Sequence, residues 1–206
     1  MHLDKMITIV YFFMKLNKTR SIVFILVSSF TFFNVNAASF EKYAPKLLKF
    51  EGVGYGIHKP IWGEKDFSRS EALRIHRQHY WNKYHGDLFV SQEVAEVLID
   101  HIINAGPGRN GSNIKAFEAI IGAPQDGKLS VADVQRANSF YFPEQIVNPF
   151  VKYRVLYYAS RPDAAQYPGW ITRAKAFLMN RDQNEGISDI LLPIHIENRF
   201  SYIKID

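Results

Sequence analysis

Cysteine is absent from this 206-residue chain. That excludes structural disulfides, thiolate-held zinc, iron–sulfur clusters and a thiol nucleophile together. A long apolar run is also missing: the most apolar stretch, Ser21–Phe33, spans 13 residues, against the ~20 that a membrane-crossing helix needs. There is no internal repeat, no low-complexity tract, and no arginine-rich stripe or zinc-finger spacing of the kind nucleic-acid binding uses. Period-two alternation is confined to weak hints at Ile194-His195-Ile196 and Tyr202-Ile203-Lys204-Ile205. What is present is 47% hydrophobic and 15% aromatic content, which excludes a disordered or collagen-like chain. The length fits one domain, or one with an appended subdomain.

From Met14 the chain reads as an export signal. Lys15, Lys18 and Arg20 form a basic n-region, Ser21–Phe33 an apolar h-region, and Val35 and Ala37 the small residues of a cleavage site. Residues 1–13 read as an upstream extension, with Met14 the initiator. Cleavage after Ala37 would leave Ala38–Asp206 in the periplasm or outside the cell, with no stable membrane anchor. Residues 1–37 contribute +3 of the +5 net charge, leaving +2 for the remainder. The basic balance therefore does not argue for a nucleic-acid partner.

The expected architecture is mainly α. Ser68 and Glu71 form a capping box ahead of a helix carrying Ala72, Ile75, His76 and His79 on one face. Ser91 caps a second helix running to Ala105, stopped by Gly106-Pro107-Gly108. That helix is apolar around most of its circumference and belongs in a core. Glu93, Glu96, Asp100 and Asn104 fall on its remaining face, read as solvated. A helix over about 113–121 ends at Gly122, and Ser130 caps another to Asn138. Pro143 and Pro149 suit first-turn positions, and a last helix starts near Pro168.

One carboxylate stands out on physical grounds. Phe40, Tyr43, Ala44, Leu47 and Leu48 recur at helical spacing, and Glu51 falls on the same face. Gly52, Gly54 and Gly56 follow at once and keep the backbone close to it. Partial desolvation there would raise the carboxyl pKa, as a general acid requires. The alternatives are a last-turn residue facing outward and a structural hydrogen-bond acceptor.

Around that residue the chain resembles a known family. LLKFEGVGYGIHKPIWG, QHYWNKYHGD, VLIDHIINAGPGRN, a GAPQDG turn and PGWITRAKAFL occur in the order found in glycoside hydrolase family 108. The resemblance runs from about Phe40 to Leu178. It implies N-acetylmuramidase activity on peptidoglycan, in a lysozyme-like helical domain followed by a small helical peptidoglycan-binding-like region. The corresponding division is 1–37 signal with extension, 38–122 muramidase domain, 123–180 wall-binding-like region and 181–206 tail. In the family the glutamate of an E-G-G-[YF] motif ends the first helix and is catalytic, which by position is Glu51. Two departures stand beside this. The stretch between Glu51-Gly52 and Tyr55-Gly56-Ile57 is much shorter than usual, with His58 where Thr or Ser is common. Asp126-Gly127 also lacks the second glycine and threonine of the family's binding region.

The resemblance implies cleavage of the β-1,4 bond between N-acetylmuramic acid and N-acetylglucosamine, with Glu51 as proton donor and a second group to stabilise the sugar cation or activate water. Asp66, Glu64 and His58 are the candidates for that second role, with Asp100 weaker. Tyr55 is placed to stack on a sugar ring. Asp100 and Asn104 match polar positions of the family's D-x-x-x-N-x-G segment and are expected in the cleft floor, within reach of substrate. His76 and His79 lack a third ligand, so no metal is expected, and no cofactor is implied. The expected partner is the glycan strand of peptidoglycan, bound by a monomer. A non-catalytic wall-binding protein that has lost the active-site loop is the alternative. A secreted helical protein with the 180–206 tail as partner surface is a third reading.

Overall fold

The structure, a computed structural model, describes residues 37–63 and 65–179. The signal segment, Glu64, the tail and both weak strand hints lie outside the described residues. Eight α-helices follow one another among the described residues, joined by short turns and without strands: α1 Phe40–Glu51, α2 Lys59–Trp62, α3 Arg69–His76, α4 Gln92–Ala105, α5 Ser112–Ile121, α6 Val131–Asn138, α7 Glu144–Ala159 and α8 Gly169–Lys175. The mainly α expectation holds, consistent with a lysozyme-like helical fold. No described helix is long and apolar enough to cross a membrane.

The caps sit where the sequence puts them. Ser68 accepts from the Glu71 N–H while the Glu71 carboxylate accepts from the Ser68 N–H, and Ser130 with Asp133 repeats the arrangement. Ser91 accepts from the Val94 N–H at 3.2 Å. Each such cap satisfies a backbone donor that the first helical turn leaves orphaned, worth ~1 kcal/mol.

α4 is the centre of the core. Val94, Ala95, Val97, Leu98, Ile99 and Ile102 are all buried, and α1, α5 and α7 pack around it. On α1, Phe40, Tyr43 and Leu47 turn inward, and Tyr43 stacks on Trp81 at 5.8 Å. Trp81 explains the tryptophan and glycine of QHYWNKYHGD. Its indole lies so close to Gly86 that a Cβ there would meet ring carbon at 2.3 Å. Its Nε1–H donates to Asp87 at 2.6 Å.

Four local expectations are corrected. Pro149 lies inside α7, which runs unbroken from Glu144, and not in a first turn. Pro45, which could have kinked or restarted the first helix, instead sits within α1 and forfeits one ladder bond there. After His76 the chain passes into a π turn, Arg77–Trp81. The wider turn breaks the 3.6-residue period, so His76 is buried while His79 is exposed against the edge of Trp62. Finally, the polar face of α4 is not solvated: Glu96 and Asp100 are buried and only Glu93 is exposed.

Candidate active site

Glu51 is the last residue of α1, and the N–H of the Gly52 cap closes the helix on Leu48. The backbone then turns back through Gly52, Gly54, Tyr55 and Gly56, all at positive φ. The fold-back brings Gly56 against the Glu51 carboxylate. A Cβ at that glycine would lie 2.1 Å from Glu51 Oε2, so only glycine leaves room for the carboxylate.

The other oxygen is held from the far end of the chain. Arg173, on α8, donates from Nη2 to Glu51 Oε1 at 2.7 Å. The Glu51 side chain is 13% exposed and that of Arg173 9%. The sequence led us to expect an apolar setting for this carboxylate; the structure supplies an ion pair instead.

Arg173 is itself anchored. Its Nε donates to Asp100 Oδ2 at 3.0 Å and its Nη2 to Asp100 Oδ1 at 2.8 Å. The guanidinium also lies 5.0 Å from the centre of the Phe50 ring. Asp100 further accepts from Arg154 Nη2 at 2.6 Å and from the Tyr43 hydroxyl at 2.8 Å. Two carboxylates and two guanidinium groups thus form one nearly dry, charge-balanced cluster, in which each buried charge has an opposite partner.

The protonation tendencies follow from this packing. Burial works against ionised Asp100, but Arg154 and Arg173 outweigh it and hold the carboxyl below its ordinary range. Burial also works against the Arg173 cation, and the bonds to Asp100 and Glu51 reverse that, holding the guanidinium firmly charged. The Tyr43 phenol is pushed well above its usual value, first by burial and then by the negative Asp100.

His76 closes another side. Its Nε2 lies 2.8 Å from the Tyr55 carbonyl. A carbonyl only accepts, so Nε2 carries the hydrogen and the bare Nδ1 is buried without a protein partner. Burial pushes this imidazole below its ordinary value, with Glu51 pulling the other way. Burial raises the Tyr80 phenol, and the negative Glu51 adds to the rise.

Of the residues picked from sequence, Glu51 and Asp100 are brought together through Arg173. Asp100 as a substrate contact is corrected: it is 0% exposed, and both its oxygens are taken by Tyr43, Arg154 and Arg173. Tyr55 is half-buried in the glycine turn that follows Glu51, and its carbonyl is engaged by His76. Asn104 donates to the Tyr158 hydroxyl at 2.7 Å, outside the Glu51 cluster. His58 and Asp66 are exposed. No group of three His, Asp or Glu side chains able to hold a metal occurs among the described residues.

The sequence reading missed Arg154 and Arg173. Both leave a signal. Arg154 is the lone charge inside the apolar, aromatic run Tyr153–Ala159, and Arg173 stands within PGWITRAKAFL. A charge in such a run needs a buried counter-ion, and Asp100 is its counterpart on apolar α4.

Part of this cluster lies in a segment that matches a known family. Residues 44–106 match the family described as Glycosyl hydrolase 108, a span that runs from the middle of α1 through Glu51 and Asp100 to the end of α4. The match supports a glycoside hydrolase. Among solved structures, one titled "Structure of Brucella abortus SagA" is 23% identical, covering 71% of this chain and 98% of that one, with a TM-score of 0.49. No curated protein matches the chain.

Proposed function

We propose that this chain, assigned to glycoside hydrolase family 108 by residues 44–106, is an exported N-acetylmuramidase of peptidoglycan with Glu51 as its proton donor. The carrying observation is the placement of Glu51 within the matched segment. It ends α1 with one oxygen fixed by Arg173 and the other against the glycine turn. As proton donor, Glu51 keeps Oε1 bonded to the Arg173 guanidinium and delivers a hydrogen from Oε2. That hydrogen passes to the glycosidic oxygen, the C1–O bond breaks with its electron pair going to that oxygen, and water adds to C1 and gives its surplus proton to solvent, from which Glu51 is reprotonated. Tyr55, in the turn that follows Glu51, is the aromatic proposed to stack on a sugar ring. His58, Asp66 and Glu64 remain the candidates for the second role. Export through the signal ahead of Ala38 belongs to the same proposal.

The second reading, a wall-binding protein without turnover, is favoured by one observation. Glu51 is already engaged in a closed ion-pair cluster, as a structural carboxylate would be. Digestion of purified peptidoglycan by the protein and by Glu51→Gln, with mass spectrometry of the soluble products, separates the two. Muropeptides ending in reducing N-acetylmuramic acid, absent with Glu51→Gln, are expected. Intact wall with both proteins, and both sedimenting with it, would establish the binding protein instead.

A further inference from the structure

We infer that Arg173 is the positioning residue of Glu51, and that Asp100 is the anchor that aims it; this rests on the reading of Glu51 as proton donor. The segment that matches the family ends at residue 106, yet the one cation paired with Glu51 among the described residues comes from α8. The active site of this chain therefore needs the region that sequence assigns to wall binding.

The geometry carries the assignment. A carboxylate on a glutamate side chain turns about three bonds, and a general acid must present one chosen oxygen to the leaving group. Arg173 has the rigid planar fork that lets one guanidinium hold two carboxylates at fixed angles. Nε and Nη2 seat it on Asp100, at 3.0 and 2.8 Å, and Nη2 reaches Glu51 Oε1 at 2.7 Å. Asp100 cannot drift, because Arg154 and Tyr43 hold it on its remaining sides at 2.6 and 2.8 Å. The Phe50 ring limits the guanidinium's movement from the side of α1. With Oε1 so fixed, Oε2 is the oxygen left for chemistry, and Gly56 sets its position without donating to it. Loss of Arg173 leaves the Asp100–Arg154 pair intact, so Asp100 keeps a counter-charge while Glu51 loses its guide.

The test compares the full chain with Arg173→Gln, Arg173→Lys and Glu51→Gln on soluble uncrosslinked glycan strands, measuring kcat and KM, with wall co-sedimentation and thermal melting alongside. Arg173→Gln is expected to lower kcat about a hundredfold, as a misplacement of ~1 Å does, with KM and wall binding within threefold. Arg173→Lys is expected to fall between, about tenfold down, because an ammonium is a single point that cannot span both carboxylates. A folded Arg173→Gln with kcat within threefold of wild type overturns the inference, and so does a raised KM with kcat unchanged. Should Arg173→Gln not melt cooperatively, Arg173→Lys decides: unchanged kcat overturns the inference, and a selective fall in kcat upholds it. Wild-type protein that leaves the strands intact, or a Glu51→Gln protein that cuts them, overturns the reading of Glu51 and this inference with it. An inactive Glu51→Gln beside a fully active Arg173→Gln overturns this inference alone.

Discussion

Asp100 and His101 are neighbours on α4, both 0% exposed, and the fold treats them in opposite ways. Asp100 turns into a cluster of two guanidinium groups and a phenol, and stays ionised. His101 turns into four aromatic rings, Phe150, Tyr153, Tyr157 and Tyr158, with centroids 5.6, 5.8, 5.2 and 5.5 Å away. Burial, with Arg154 adding to it, pushes that imidazole down to about 3, so it stays neutral. Its Nδ1 meets the Tyr158 hydroxyl at 3.2 Å, while Nε2 is buried without a partner. One helix thus shows both solutions to burying an ionisable group: supply the counter-charge, or forbid the charge.

The largest way to break the comparison is to remove the counter-charge. Asp100→Ala leaves Arg154 and Arg173 buried without it, and should cost about 3–5 kcal/mol in urea unfolding at pH 7.

The next is acid. The His101 value lies below that of an exposed histidine, so the unfolded chain binds the extra proton between pH 6.5 and about 3. The contribution is complete above 6.5 and is lost as pH falls, at about 1.4 kcal/mol per unit. His76 is shifted the same way and adds to the loss. His101→Phe should therefore shrink the fall in stability between pH 6.5 and 4. Asp100, whose carboxyl is held below the ordinary 3.8, should make its loss felt only below that range. Equal acid sensitivity of wild type and His101→Phe between pH 6.5 and 4 would break the comparison.

A third buried group sharpens it. Glu118 is 0% exposed on α5; it accepts from the Gly127 N–H at 3.0 Å, and its other oxygen has no partner. Burial raises its pKa to about 6, and Asp126 and Asp133 push the same way against the Gly127 bond. Here the folded state prefers the neutral form. The stabilising contribution is complete below 4.5 and disappears as pH climbs through 6, the reverse of Asp100. Glu118→Gln should remove that decline, a gain of order 1 kcal/mol at pH 7 relative to pH 5. Identical pH 5–7 profiles for the two proteins would show that burial of Glu118 does not favour its neutral form.

Much of the fold was legible because it is written in short-range signals. Ser68 with Glu71, Ser91 and Ser130 announce helix starts within a few residues, and Gly106 and Gly122 announce ends. The interruption after His76 and the helical tolerance of Pro45 and Pro149 carry no such local mark; packing decides them. The site divides along the same line. Glu51 is found by period and by the glycines that follow it, all within a few residues. The role of Asp100 depends on Arg154 and Arg173, 54 and 73 residues later. Read within α4 alone, it looks like part of a solvated stripe.

That separation has a consequence in time. A protein is made from its N-terminus, so α1, α3 and α4 leave the ribosome long before α8. Until residue 173 emerges, Glu51 lacks its guide and Asp100 has at most one of its two cations. The Glu51 carboxylate is thus among the first residues of the domain to be made and among the last to be completed. A chain interrupted between α4 and α8 carries the segment over which the chain matches a known family, without the cation that pairs with Glu51.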